Sequence, residues 1–164
     1  MSRMRTAGPA DDQSPRLAAR AGRYGRAAAR WARLLLPARR AGGVRVFYGH
    51  DRVPGTGDPV RGGTAKFQRL AARFPNAPTD FTLLYLGSTW LPRDLGAQLR
   101  LAARRRIPVV VNQDGVGYPA WAGDRADEVN KPLREALLAA DHLLYHSAFS
   151  KLSADRFLGE PRGA

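Results

Sequence analysis

Short apolar runs alternate with amphipathic stretches along most of this chain. Four runs have the length and the β-branched or aromatic content of strands, at residues 44–48, 81–86, 107–111 and 142–145. Between and after them, apolar residues recur at spacings of three and four, which predicts helices at 64–73, from Pro92 onward, at 128–140 and at 147–157. The alternation predicts an α/β fold, with a Rossmann-like, doubly wound, mostly parallel sheet and helices on both of its faces.

Residues 1–43 differ in character and are predicted to form a leader outside the domain, which spans 44–164. They carry ten arginines against two aspartates, a large share of the net charge of +13. Residues 1–15 are polar and are predicted to be disordered, whereas residues 16–36 place apolar side chains on one helical face and arginines on the other. Such a segment could contact an anionic membrane surface, or it could be a solvated extension without function.

The rest of the composition narrows the class of protein. Arginine outnumbers lysine 24 to 3, a bias that G+C-rich codon usage produces, and the domain itself is only mildly basic, so no specific nucleic-acid partner is predicted. Cysteine is absent and the three histidines lack zinc-binding spacing, so neither a disulfide nor a metal site is predicted. No apolar run reaches about 18 residues, and we expect a cytoplasmic protein, at most peripheral on the inner membrane face.

Polar, glycine-rich segments follow the predicted strands, at the edge where parallel sheets form ligand sites. After the first strand, Gly62 and Gly63 open a helix and Lys66 lies one turn inside it. Glycines at a helix start let backbone amides approach a phosphate, and lysine adds positive charge. The signal is weak, because the dinucleotide-binding fingerprint and the phosphate-loop pattern are both missing, and a flexible loop is the simpler interpretation.

The segment after the third strand is the richest in candidate chemistry. Asn112, Gln113 and Asp114 follow that strand, and Tyr118 and Trp121 lie further on. Amides, a carboxylate and flat aromatic rings are the groups that bind sugar hydroxyls, and Asp114 is the candidate catalytic base. A turn and helix-capping cluster is the alternative interpretation.

The remaining two loops add hydroxyl and basic groups. After the second strand come Gly87, Ser88, Thr89 and Trp90. After the fourth, His146 and Lys151 would suit a diphosphate or a sugar, although Ser147 as an ordinary helix N-cap explains much of that pattern.

Taken together, these segments resemble the amino-terminal domain of bacterial GT-B glycosyltransferases. The matching motifs, in chain order, are Val46-Phe47-Tyr48-Gly49-His50, Gly62-Gly63 with Lys66-Phe67-Gln68, Phe74-Pro75-Asn76, Leu84-Tyr85-Leu86, Asn112-Gln113-Asp114-Gly115-Val116, Tyr118-Pro119-Ala120-Trp121, and the segments 141–151 and 154–159. The resemblance covers residues 44–159, and the order and spacing of the motifs are more specific than any one of them.

The resemblance implies an enzyme of the hexosyltransferase class. In that family this domain binds a glycan or other acceptor, and a second Rossmann-like domain binds the nucleotide-sugar donor; members typically need no metal, and no cofactor is implied. Gly62 and Gly63 would match the loop that approaches the donor diphosphate, and Asn112, Gln113 and Asp114 the loop beside the reacting sugar. Because the sequence ends at Ala164 without a donor domain, the resemblance implies a truncated product, or a split enzyme that needs a separate donor-domain polypeptide.

A non-catalytic module is the competing hypothesis. A basic domain that binds a membrane surface or a glycan would need no donor-binding half. Membrane binding that depends on residues 16–36 would favour this interpretation, whereas an intact donor domain encoded immediately downstream would favour the split enzyme.

Overall fold

The structure, a computed structural model, describes residues 42–60 and 62–161, together with Ala32. The chain divides into two units, Met1–Ala38 and Arg39–Ala164, and every described residue except Ala32 belongs to the second. The predicted leader lies almost entirely outside the described residues, so its amphipathic helix stays a prediction. None of the helices among the described residues combines the length and the apolar character needed to cross a bilayer.

Four parallel strands form one sheet, and helices connect them. The strands are β1 (Val46–Phe47), β2 (Leu83–Gly87), β3 (Val109–Gln113) and β4 (His142–Tyr145), and they lie in that order across the sheet. The helices are α1 (Ala65–Arg73), α2 (Leu95–Arg105), α3 (Pro119–Ala122), α4 (Ala126–Leu138) and α5 (Ala148–Leu158), with 3-10 turns at Gly62–Thr64, Ser88–Trp90 and Gly123–Arg125. The predicted α/β class, with a Rossmann-like, mostly parallel sheet, is confirmed.

The bounds of β3 differ from the prediction in a way that matters for the site. Pro108 has no amide hydrogen with which to extend the ladder, so the strand begins at Val109 rather than at residue 107. It then continues through Asn112 and Gln113, which pair with the neighbouring strands. Because side chains alternate along a strand, these two residues point to opposite faces of the sheet.

Different helices cover the two faces of the sheet. On one face Phe67 of α1, fully buried, packs with Tyr48 and Tyr85. On the other face Leu137 of α4 belongs to a cluster that also includes Leu143 of β4. Helices on both faces mark a doubly wound arrangement. The path of the chain around β1 shows where the direction of the connections across the sheet changes.

Residues 76–77 lie on the outer edge of β1, although the next full strand, β2, lies on the inner edge. Carbonyl groups of successive strand residues point to opposite edges: Arg45 O accepts from Leu83 N, whereas Val46 O accepts from Ala77 N, and Asn76 forms a parallel bridge with Val46. The chain thus leaves β1 in one direction and leaves β2 in the other. In open parallel sheets the ligand crevice lies at the carboxyl ends of strands whose connections diverge in this way, here β1 and β2.

Tyr48 and Asn76 hold residues 76–77 against the outer edge of β1. Tyr48 O–H donates to Phe74 O (2.9 Å), Tyr48 N–H donates to Asn76 Oδ1 (3.3 Å), and Asn76 Nδ2 donates to His50 O (2.8 Å). Burial raises the pKa of Tyr48 to about 12, so its hydroxyl keeps the proton that this arrangement needs. The carboxyl end of β1 is therefore held against the segment that follows α1.

Candidate functional site

Segments that follow all four strands meet at Asp114, whose side chain is only 8% exposed. Its Oδ2 accepts hydrogen bonds from Lys66 Nζ and from Thr89 Oγ1 (3.2 Å), and its backbone N–H donates to Ser88 Oγ (2.9 Å). His146 Nδ1 lies 3.9 Å from the other carboxylate oxygen, Oδ1. The carboxylate thus connects the regions after β1, β2, β3 and β4 at the edge where the chain direction diverges.

Lys66 and Asn112 extend the cluster toward the sheet. Lys66 Nζ also donates to Asn112 Oδ1 (3.0 Å), and Asn112 Nδ2 donates to the Tyr85 hydroxyl (3.1 Å). Burial raises the pKa of Tyr85, and this outweighs the opposing hydrogen bond from Asn112, so the phenol is neutral. The ammonium of Lys66 is balanced by Asp114 rather than left free for an anion.

The glycine pair fits closely against the loop that follows β2. Gly62 has a φ of +42°, a conformation that favours glycine, and a Cβ atom added at Gly63 would lie 2.6 Å from Thr89 Cβ. The same two loops are joined by His50 and Trp90, whose rings stack with centroids 3.7 Å apart. Glycine at position 63 therefore allows Thr89 to reach Asp114.

We expect Gly63→Ala to lower the free energy of unfolding by about 1–3 kcal/mol, because the new methyl group would overpack the contact with Thr89. Urea denaturation monitored by circular dichroism measures the change. Gly57→Ala is the matched control, since open space surrounds that position. In the background of Thr89→Gly, which removes the clashing side chain, Gly63→Ala should cost much less; an undiminished cost there would show that the clash is not the cause.

Gln113 lies apart from this cluster, although the sequence places it between Asn112 and Asp114. Its side chain is fully buried on the opposite face of the sheet, where Nε2 donates to Gly115 O (2.7 Å). The unexpected length of β3 explains the separation, because residue 113 is still in the strand and alternates away from Asn112.

The predicted aromatic platforms take different positions. Tyr118 packs against α5: its ring stacks on Phe149, with centroids 6.3 Å apart, and its hydroxyl donates to Ser153 Oγ (2.7 Å). Trp121 is 62% exposed, and its Nε1 donates to Val116 O (3.2 Å). The structure thus gives Tyr118 a packing role and leaves the Trp121 ring open to solvent.

The basic and hydroxyl groups after β4 also separate. Lys151 pairs with Asp155 one turn further along α5 (2.7 Å), and that hydrogen bond raises the pKa of Lys151. Ser147 is the N-cap of α5 in a reciprocal arrangement with Ser150. Of the predicted site residues in this segment, the structure brings His146 to Asp114 and engages Lys151 elsewhere.

Sequence reasoning did not foresee the partners of Asp114 that come from β2 and its loop. The sequence shows Ser88 and Thr89 as hydroxyl groups after a strand, but nothing in it links them to a carboxylate 25 or 26 residues later. Strand order supplies the missing information, because β2 and β3 are neighbours and register pairs Gly87 with Asn112. In the described part of the chain, no three His, Asp or Glu side chains gather as a metal site would require.

Fold and site together define this chain as a Rossmann-like α/β domain with a polar cluster at the carboxyl edge of β1, β2 and β3. Comparison with known proteins identifies no relative: no family model matches the chain, and no curated protein or solved structure gives a significant match. The polar cluster and the sequence motifs are therefore the features that indicate a function.

Proposed function

We propose that this domain is the acceptor-binding half of a glycosyltransferase, which transfers a sugar from a nucleotide-sugar to a glycan or another hydroxyl-bearing acceptor. The observation that carries the proposal is the convergence of carboxylate, amide, hydroxyl and imidazole groups around Asp114. These groups hydrogen-bond sugar hydroxyls, and they lie at the edge of the sheet where ligands bind in doubly wound folds. The motifs that resemble GT-B enzymes favour the same activity.

The charge of the cluster favours a separate donor-binding half. Transfer requires the leaving diphosphate to be stabilised electrostatically. Lys66 is paired with Asp114 and Lys151 with Asp155, so two of the cations that the sequence offered for this task are already balanced. Gly63 lies against Thr89 of the cluster, and we expect the donor half to supply the remaining positive charge.

Sugar transfer by the full chain tests the proposal. UDP-glucose, UDP-galactose and GDP-mannose would be offered with a mixture of glycan acceptors, with and without the protein encoded immediately downstream. We expect transfer only when both proteins are present, and a loss of at least a hundredfold with Asp114→Asn. Asp124→Asn is the matched control, an exposed carboxylate in the turn Gly123–Arg125.

The alternative, a non-catalytic glycan-binding module, is favoured by one observation, the exposed ring of Trp121. An aromatic face open to solvent is a platform on which a sugar ring can stack. A folded chain that transfers no sugar in either condition would contradict the enzyme. Glycan binding that is lost in Trp121→Ala would then support the module.

A further inference from the structure

The two oxygens of the Asp114 carboxylate have different surroundings. Oδ2 accepts from Lys66 and Thr89, whereas Oδ1 is buried and accepts no hydrogen bond from any described residue. A buried carboxylate oxygen without a donor is costly. A side chain that can turn toward Oδ1, a water molecule or a ligand can supply the donor.

His146 is placed to supply that donor. Its Nδ1 lies 3.9 Å from Oδ1, about 1 Å beyond the length of a hydrogen bond, and its side chain is 69% exposed, so packing does not hold the ring away. The backbone beside it is fixed, because Ser147 N–H donates to Ser150 Oγ (2.9 Å) and Ser150 N–H donates to Ser147 Oγ (3.1 Å). Side-chain rotation alone can therefore close the gap, as often happens when a ligand-free site becomes occupied.

We propose that Asp114 accepts the Nδ1–H of His146 and so selects the tautomer in which Nε2 is unprotonated and directed away from the carboxylate. Asp114 is then a positioning residue, and His146 is the catalytic base. Lys66 and Thr89 hold Oδ2 and thereby aim Oδ1 at the imidazole. The sequence favours Asp114 itself as the base, but its burial and its hydrogen bonds leave it little access to a substrate.

The chemical step rests on the proposed glycosyltransferase function. The acceptor hydroxyl gives its proton to His146 Nε2 while its oxygen forms a bond to the anomeric carbon of the donor sugar. The bond from that carbon to the diphosphate breaks, and the electron pair leaves with the diphosphate. Asp114 stabilises the imidazolium that forms. Attack opposite the leaving group inverts the configuration of the anomeric carbon.

The tautomer of His146 is measurable without any substrate. Long-range ¹H–¹⁵N correlation spectra of the full chain, labelled at its three histidines, distinguish the two tautomers at about pH 8.5, where a histidine of ordinary pKa is neutral. The His146 signals are assigned by their loss in His146→Gln. We expect the Nδ1–H tautomer to dominate at His146, while His142, exposed on β4, serves as an internal control.

Asp114→Asn gives the decisive comparison. Its amide oxygen is expected to remain with Lys66 and Thr89, so the amide NH₂ faces His146 and Nδ1 becomes an acceptor. The ratio of Nδ1–H to Nε2–H should fall about tenfold or more, as expected for the loss of one hydrogen bond to a charged group. Near-ultraviolet circular dichroism checks that the variant is folded. An Nε2–H tautomer in the unaltered chain, or a ratio that the substitution does not change, would overturn the pairing.

The role of His146 as a base is tested by kinetics and by the configuration of the product. With the downstream protein present, His146→Gln should lower kcat about a hundredfold or more with little change in KM, and the product should have inverted configuration. A retained configuration would overturn the role of His146 as a base. A fixed tautomer in a protein that transfers no sugar would instead support the pairing and reject the glycosyltransferase function.

Discussion

Replacing Phe67 with alanine is expected to lower the free energy of unfolding by about 3–5 kcal/mol, a large part of the stability of a domain of this size. Phe67 is fully buried, and its ring makes edge-to-face contacts with Tyr48 (5.8 Å between centroids), Tyr85 (5.9 Å) and Trp90 (5.1 Å). Removing it leaves a cavity between α1 and the sheet. Urea unfolding followed by tryptophan fluorescence and circular dichroism measures the loss.

Phe149→Ala is the matched control for this experiment. Its ring is 68% exposed on α5, so the same chemical change should alter stability by less than about 1 kcal/mol. If Phe67→Ala changes stability as little as Phe149→Ala, the packing of α1 contributes little to the core. The aromatic cluster also accounts for Gly87, because a Cβ atom there would lie 2.6 Å from the Phe67 ring.

The position of Phe67 joins the core to the candidate site. Lys66 precedes it in α1 and reaches Asp114, and Trp90 packs against it from the turn that contains Thr89. Loosening the ring should therefore disturb the segments after β1 and β2 together. We expect the hydrogen bonds around Asp114 to weaken in Phe67→Ala even where the rest of the sheet persists.

The alternation of apolar runs was sufficient to predict the α/β class and most of the elements. It worked because strands and helices have different periods, and because each strand here is short and bounded by polar residues. β4 has the predicted bounds, and Ser147 caps α5 as its sequence indicates. These are local features, in which residues close in the sequence determine the outcome.

The bridge between Asn76 and the outer edge of β1 has no comparable signal in the sequence. A one-residue bridge has no period, and its partners are backbone groups of β1 some 30 positions earlier. Only the register shows that the chain visits the outer edge of β1 before it forms β2. The place where the connections after β1 and β2 diverge, and with it the edge where a ligand would lie, could therefore be found only from the three-dimensional structure.

Strand order alone brings some of the candidate site residues together. Asn112 and Asp114 meet the helix that follows Gly63, as expected for loops at one edge of a parallel sheet. Gln113 separated from them because one further residue of β3 reverses the face to which a side chain points. Lys151 separated because Asp155 offers a nearer carboxylate at helical spacing.

The sequence alone does not show whether Lys66 binds an anion or neutralises a carboxylate. A lysine one turn inside a glycine-rich helix start suits a phosphate. In the structure the ammonium instead contacts Asn112 and Asp114, which lie 46 and 48 positions further along the chain. Its role is thus either that of a counter-ion for a buried carboxylate or that of an anion ligand, and the two roles predict different effects of removing its charge.

As a counter-ion, Lys66 should contribute strongly to stability. We expect Lys66→Met to lower the free energy of unfolding by about 3 kcal/mol, because it removes the charged partner of the buried Asp114 carboxylate. Methionine has similar length and apolar character, so the lost packing should be small. Thermal and urea unfolding at neutral pH measure the change, and Lys131→Met, at an exposed position of α4, is the matched control.

The double variant Lys66→Met with Asp114→Asn separates charge from packing. Asparagine keeps the shape of Asp114 but needs no counter-ion, so the double variant should be more stable than Lys66→Met alone. A coupling of about 1–3 kcal/mol between the two positions would identify Lys66 as the group that allows a carboxylate to be buried there. If Lys66→Met instead leaves stability unchanged, the pair contributes little to the fold. Lys66 would then be free to turn toward a diphosphate, and less positive charge would be required of the donor-binding partner.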